Sequence, residues 1–106
     1  MNLLNKPPLG LKQPKQKKNA KSKEHLKKVK SLPCIICHHP PPSDAHHVIC
    51  DRYGSRKASD FETIPLCKNH HQNGPDAIHN SKKRWVENFG KDYSFLPEVI
   101  RLVDGI

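Results

Sequence analysis

The chain has little that is apolar. Of its 106 residues, 34% are hydrophobic and 27% are charged. One small domain of this kind buries a thin core and needs a brace: disulfides, a metal or a partner. No apolar run approaches the length of a membrane span. The opening MNLLNKPPLG lacks the apolar stretch of a secretory leader. There is no internal repeat, so a solenoid is excluded. These absences lead us to expect a cytoplasmic, intracellular protein with no membrane partner. In that compartment thiols stay reduced, and clustered cysteines bind metal more often than they pair.

What is present is unevenly placed. Residues 1–30 hold ten lysines against one acid, Glu24, whereas residues 31–106 hold nine Lys/Arg against nine Asp/Glu. The whole net charge of +9 therefore sits in the leading segment. Such a block suits a polyanion, most simply a nucleic-acid backbone, or else it is a solubilising tail. On the first reading Lys15, Lys17, Lys18, Lys21, Lys23, Lys27 and Lys28 contact phosphates.

The expected organisation is a basic flexible tail over 1–30 and a compact domain over 31–106. Pro7, Pro8, Gly10 and Pro14 among lysines predict disorder through residue 22. SKEHLKKVK predicts a short helix from a Ser22 cap, with Leu26 and Val29 on one side and Pro33 beyond its end. Pro40, Pro41 and Pro42 impose an extended excursion. Residues 45–49 and 61–66 read as strands joined by a polar loop. A helix should start at 67–71, break at Asn73, Gly74 and Pro75, and resume at 76 or 77. Ile78, Trp85 and Phe89 mark the face of that helix, and Gly90 its stop. Trp85 and Phe89, four apart, suit core packing. A short terminal helix should follow within 97–103. The fold class is α+β.

Two sets of metal-type residues punctuate this order. Cys34 and Cys37, then Cys67 and His70, form two chelating pairs, and 29 residues separate the pairs. Together they make a Cys3His tetrahedron, a closed structural Zn2+ site. His38, His39 and His71 are competing ligands, and Cys50 is left as an unpaired thiol. The second set is His46, His47, His71 and His79. Strand neighbours point to opposite sides, so His46 and His47 need not share a task. His46, His71 and His79 can hold a divalent ion with positions open to water and phosphate. His47 is then the candidate general base, because imidazole titrates near neutrality. Arg52, Arg56 and Lys57 lie in the loop between the strands, as phosphate contacts or as ordinary solvated residues. Lys82, Lys83 and Arg84 are further candidates for backbone contact.

LPCIIC, AHHV, IPLCKNHHQNGPDAIH and KKRWVENFG, in that order over residues 31–96, resemble the HNH (ββα-metal) endonucleases. More narrowly they are similar to the phage and prophage branch that includes Ref-type, RecA-dependent nucleases. The resemblance implies a two-stranded hairpin and a helix gripping one catalytic Mg2+, Mn2+ or other divalent ion beside a structural zinc. It implies His46 and His71 as ligands of that ion, His47 as general base, and His79 as the last histidine of the motif. It also implies DNA as substrate, a bacterial or phage-infected cell, and action on a RecA-type recombinase filament in recombination or DNA processing. Two departures stand out. Glu62 and Thr63 occupy the place of the central asparagine, and the gap from His71 to His79 exceeds one helical turn. The competing expectations are a non-catalytic zinc module that binds nucleic acid, and a recombination adaptor. A binding module has no use for His46, His47 and His71 at metal spacing.

Overall fold

The computed structural model describes the backbone of residues 12–52 and 57–106, and within them the side chains from Ala20 onward. In chain order the elements are α1 (Lys12–Lys30), β1 (Asp44–His47), β2 (Thr63–Leu66), a π-helical turn (Asn69–Asn73), α2 (Lys82–Phe89), a 3-10 turn (Asp92–Phe95) and α3 (Leu96–Asp104). This is a small α+β fold around a two-stranded sheet. No helix among the described residues is long and apolar enough to cross a membrane.

Helix α1 departs most from expectation. It starts at Lys12, inside the segment expected to be disordered, and Ser22 is a buried mid-helix residue rather than its cap. Lysine and glutamine are good helix formers, and Pro14 falls in the first turn, where a missing backbone donor costs nothing. Ser22 and Val29 are buried, and His25 and Leu26 are half-buried. They form an inward stripe at helical spacing, which packs α1 against both strands and α3. The last two turns of the basic segment thus belong to the domain, across the boundary expected at residue 30.

The strands pair antiparallel, with Asp44 opposite Leu66, His46 opposite Ile64 and His47 opposite Thr63. β1 ends at His47, short of the expected residue 49, because the Ile49 and Cys50 amides donate to the Asp92 carboxylate instead of to a strand. β2 starts at Thr63, not 61, because the Phe61 and Glu62 amides fold back onto Ser59. Ile64, Leu66, Val48, Val29, Ile78, Val99 and Trp85 fill the core. Trp85 packs edge-on against Phe89 and Phe95, with ring centroids 5.3 and 6.0 Å away.

The helix expected from 67 is a single π-helical turn. Gly74 closes it by donating to the Asn69 carbonyl at 2.9 Å. A Cβ at Gly74 would lie 2.6 Å from that oxygen, so no larger residue fits without moving the chain. The chain then loops out and returns: the Ile78 and His79 amides donate to the His70 and His71 carbonyls at 3.0 and 3.2 Å. The excursion therefore brings His79 back beside His71, and the long gap between them closes. α2 resumes at Lys82, later than expected, because the Ser81 hydroxyl caps it by accepting from Arg84 N–H. Gly90, at φ 90°, ends it.

Candidate metal centres

The first centre joins two local pairs that are remote from each other in sequence. Cys34 and Cys37 come from the turn before β1, Cys67 from the end of β2, and His70 from the π-helical turn. Their ligand atoms lie within 4.8 Å of one another. The Sγ atoms of Cys37 and Cys67 are 3.7 Å apart, and a zinc tetrahedron with Zn–S bonds near 2.3 Å has edges of about 3.8 Å. His70 Nδ1 stands 3.2 Å from Cys67 Sγ and 4.0 Å from Cys34 Sγ. Burial pushes the Cys34 thiol up, but backbone donors at Cys37, Cys67 and Ile36 outweigh it and the net shift is downward, toward thiolate. The cluster can hold a metal such as zinc. His38 and His39 are exposed and stand outside it. Cys50 is buried elsewhere, and burial raises its thiol, which suits an inert core residue.

The second group is His46, His71 and His79, with ligand atoms again within 4.8 Å. Ring centroids are 5.2 Å apart for His46–His71 and for His46–His79, and 4.8 Å for His71–His79. His46 is 1% exposed, and its Nε2 is bound to the Asp92 carboxylate at 3.0 Å. Its buried Nδ1 has no hydrogen-bond partner among the described residues. A buried, unsatisfied imidazole nitrogen is costly unless something occupies it. His71 Nδ1 is held by Asp44 at 2.9 Å, leaving Nε2 for a ligand. Burial lowers the pKa of both His71 and His79, which keeps them neutral and able to coordinate. The donor set thus fits a divalent ion.

His47, the next residue on β1, is 30% exposed and bound through Nε2 to Asp60 at 2.7 Å. His46, His47, His71 and His79 share a pocket of about 300 Å³ with Arg52 and Lys57. Arg52 is anchored to Glu62 at 3.0 Å, and Lys57 is exposed. Lys21, Lys23 and Lys27 are exposed on α1, and Lys28 is partly so. Lys15, Lys17 and Lys18 lie on α1 with side chains outside the described set, and Arg56 lies outside the described residues.

Three aspartates complete the site that the sequence did not single out. Asp92 is fully buried and accepts from His46 Nε2, Ile49 N–H and Cys50 N–H. Burial pushes its carboxyl up, but these donors outweigh it and hold it below the usual range. A carboxylate behind a ligating histidine fixes ring orientation and tautomer. Replacing Asp92 with Asn is therefore expected to weaken Mn2+ binding about 10- to 100-fold. Calorimetric titration of the zinc-loaded, folded variant checks this, and wild-type affinity would remove the anchoring role.

Residues 4–103 match a family model described as "Protein of unknown function (DUF968)". The chain is 31% identical over 96 residues to "Uncharacterized protein YdfU" of Escherichia coli (strain K12). That alignment covers 89% of this chain and 25% of the relative, so the chain spans about a quarter of that protein's length. No solved structure matches.

Proposed function

The chain belongs to the DUF968 family, and we propose that within it this protein is a zinc-braced, metal-dependent endonuclease of the HNH type acting on DNA. The observation that carries the reading is the convergence of His46, His71 and His79 beside His47, with a buried His46 nitrogen otherwise unsatisfied. A structural metal cluster alone explains Cys34, Cys37, Cys67 and His70; it leaves this second constellation without a role.

A divalent ion held by His46, His71 and His79 would stabilise charge on the phosphate and the departing oxygen. The chain's own residues do the rest. Arg52 and Lys57, on the pocket wall, hold the phosphate by charge. His47 takes the proton of the attacking water as the new bond to phosphorus forms and the bond to the leaving sugar oxygen breaks. Asp92 and Asp44 orient His46 and His71. The lysines of α1 hold the nucleic-acid backbone outside the pocket.

The direct test is nicking of supercoiled plasmid and single-stranded circles with Mg2+ or Mn2+, with and without a RecA-type filament. Metal-dependent nicking, abolished by chelation under conditions that spare the zinc, is the expected result. Activity confined to the filament arm would make a recombinase the licensing partner. Tight DNA binding with no cleavage in any arm would favour a non-catalytic zinc module and sink the endonuclease.

A further inference from the structure

The basic helix and the candidate base meet at one turn of the chain. Asp60 lies between β1 and β2, two residues before Glu62. Its Oδ1 receives His47 Nε2 at 2.7 Å. Its backbone carbonyl accepts from the Thr63 hydroxyl at 3.0 Å. The turn around it is tied at several points. Glu62 N–H donates to the Ser59 carbonyl, Phe61 N–H to the Ser59 hydroxyl, and Ser59 N–H to the Glu62 carboxylate. That carboxylate also takes Arg52 at 3.0 Å.

Helix α1 also packs on this turn. The His25 ring lies 5.1 Å from the Phe61 ring. Ser22, 4% exposed, turns its hydroxyl toward the Asp60 carboxyl. On the outer side of the same helix Lys23, Lys27 and Lys30 are exposed at spacings of four and three, which puts them on one face. One helix therefore presents lysines to solvent and braces the carboxylate that touches His47.

We propose that Asp60 is the positioning residue for His47 and that α1 backs it through Ser22 and the His25–Phe61 contact, so that the basic helix serves cleavage as well as binding. This rests on the reading of His47 as the base. With Nε2–H donated to Asp60, the imidazole keeps its lone pair on Nδ1, the nitrogen that receives the proton from water. The carboxylate then faces the imidazolium that forms and stabilises it without itself taking a proton. As a mere ion pair at 30% and 38% exposure the contact contributes little to stability. Substitution at Asp60 therefore leaves the fold intact.

The test uses the zinc-loaded full chain and two readouts: kcat and KM for plasmid nicking in Mn2+, and the ring 15N signals of His47. Asp60→Asn is expected to lower kcat by roughly 30- to 300-fold, less than the ~10⁴ of a buried triad aspartate, with KM unchanged. Asp60→Glu should recover part of it, and the His47 signals should move from one tautomer to a mixture. The double variant Ser22→Ala/Phe61→Ala should lower kcat about tenfold by loosening the same turn. Asp60→Asn with wild-type kcat or unchanged ring signals overturns the positioning role. The double variant with wild-type kcat overturns the backing by α1. If the wild type cuts neither alone nor with a RecA-type filament, the base reading fails. The ring signals then decide alone: a shift in Asp60→Asn upholds the hold on the imidazole, and no shift refutes it.

Discussion

His47→Ala is expected to lose DNA cleavage by about 10²- to 10⁴-fold while keeping its zinc, its divalent-ion affinity and its grip on DNA. The selectivity follows from where the residue stands. His47 lines the pocket beside His46, is partly exposed, and makes its contact with Asp60. Its ring is no part of the group formed by His46, His71 and His79, so truncation leaves that group whole. It is no part of the Cys34, Cys37, Cys67 and His70 cluster either, so the brace survives. The lysines of α1 are untouched, and backbone affinity with its salt dependence should be unchanged. On the proposed reading, what disappears is the acceptor for the water's proton. His46→Ala should differ in kind, since it removes a buried ring, leaves Asp92 without one of its donors, and weakens ion binding along with cleavage. Parallel measurement of nicking rate, Mn2+ affinity and DNA affinity separates the two variants. A His47→Ala protein that cuts at the wild-type rate would end the assignment.

Removal of the structural metal should have the other large effect. The described core is thin, and Cys34, Cys67 and His70 tie the turn before β1, the end of β2 and the π-helical turn to one point. Structural zinc in finger-like sites contributes roughly 10–16 kcal/mol of apparent binding free energy at neutral pH. Small domains have a net stability of only about 5–15 kcal/mol. Stripping the metal, or Cys67→Ser, is therefore expected to unfold the region from residue 31 onward at ambient temperature. Metal analysis should find one zinc per chain in the purified protein. Chelator titration followed by circular dichroism should show loss of structure in step with loss of zinc. A chain that keeps its melting transition after the metal is gone would refute the brace.

The metal-type residues were legible because chelation imposes local spacing. Cys34 with Cys37, and Cys67 with His70, each need one tight turn, and a turn is written in adjacent residues. The alternation that separates His46 from His47 is likewise a property of any strand. The return of His79 to His71 could be anticipated from Asn73, Gly74 and Pro75, which leave the helical path and let it resume. Asp92 carried no such signal. It reaches His46 across more than forty positions, and nothing in its neighbourhood marks it as different from Asp76 or Asp104. Asp60 was hidden in a loop read only for its basic residues. Asp44 was the one acid within reach of sequence reasoning, since it lies two residues before His46 on the same face of β1. The length of α1 was missed for another reason. Its first turns have little apolar surface to reveal a period, and its inward stripe rests on Ser22 and His25 as much as on Leu26 and Val29.

His70 and His71 are consecutive residues of one five-residue turn, and they look into different centres. A rotation of that turn that improves one imidazole's aim necessarily alters the other's. On the proposed reading, filling the cysteine-rich centre would fix part of the geometry that an ion at His46, His71 and His79 meets, and that ion would in turn steady the first. In the proposed enzyme the two affinities are thermodynamically linked, and linkage of this kind is reciprocal. Neither centre can drift in composition without retuning the other, so this chain would evolve its brace and its chemistry as one unit.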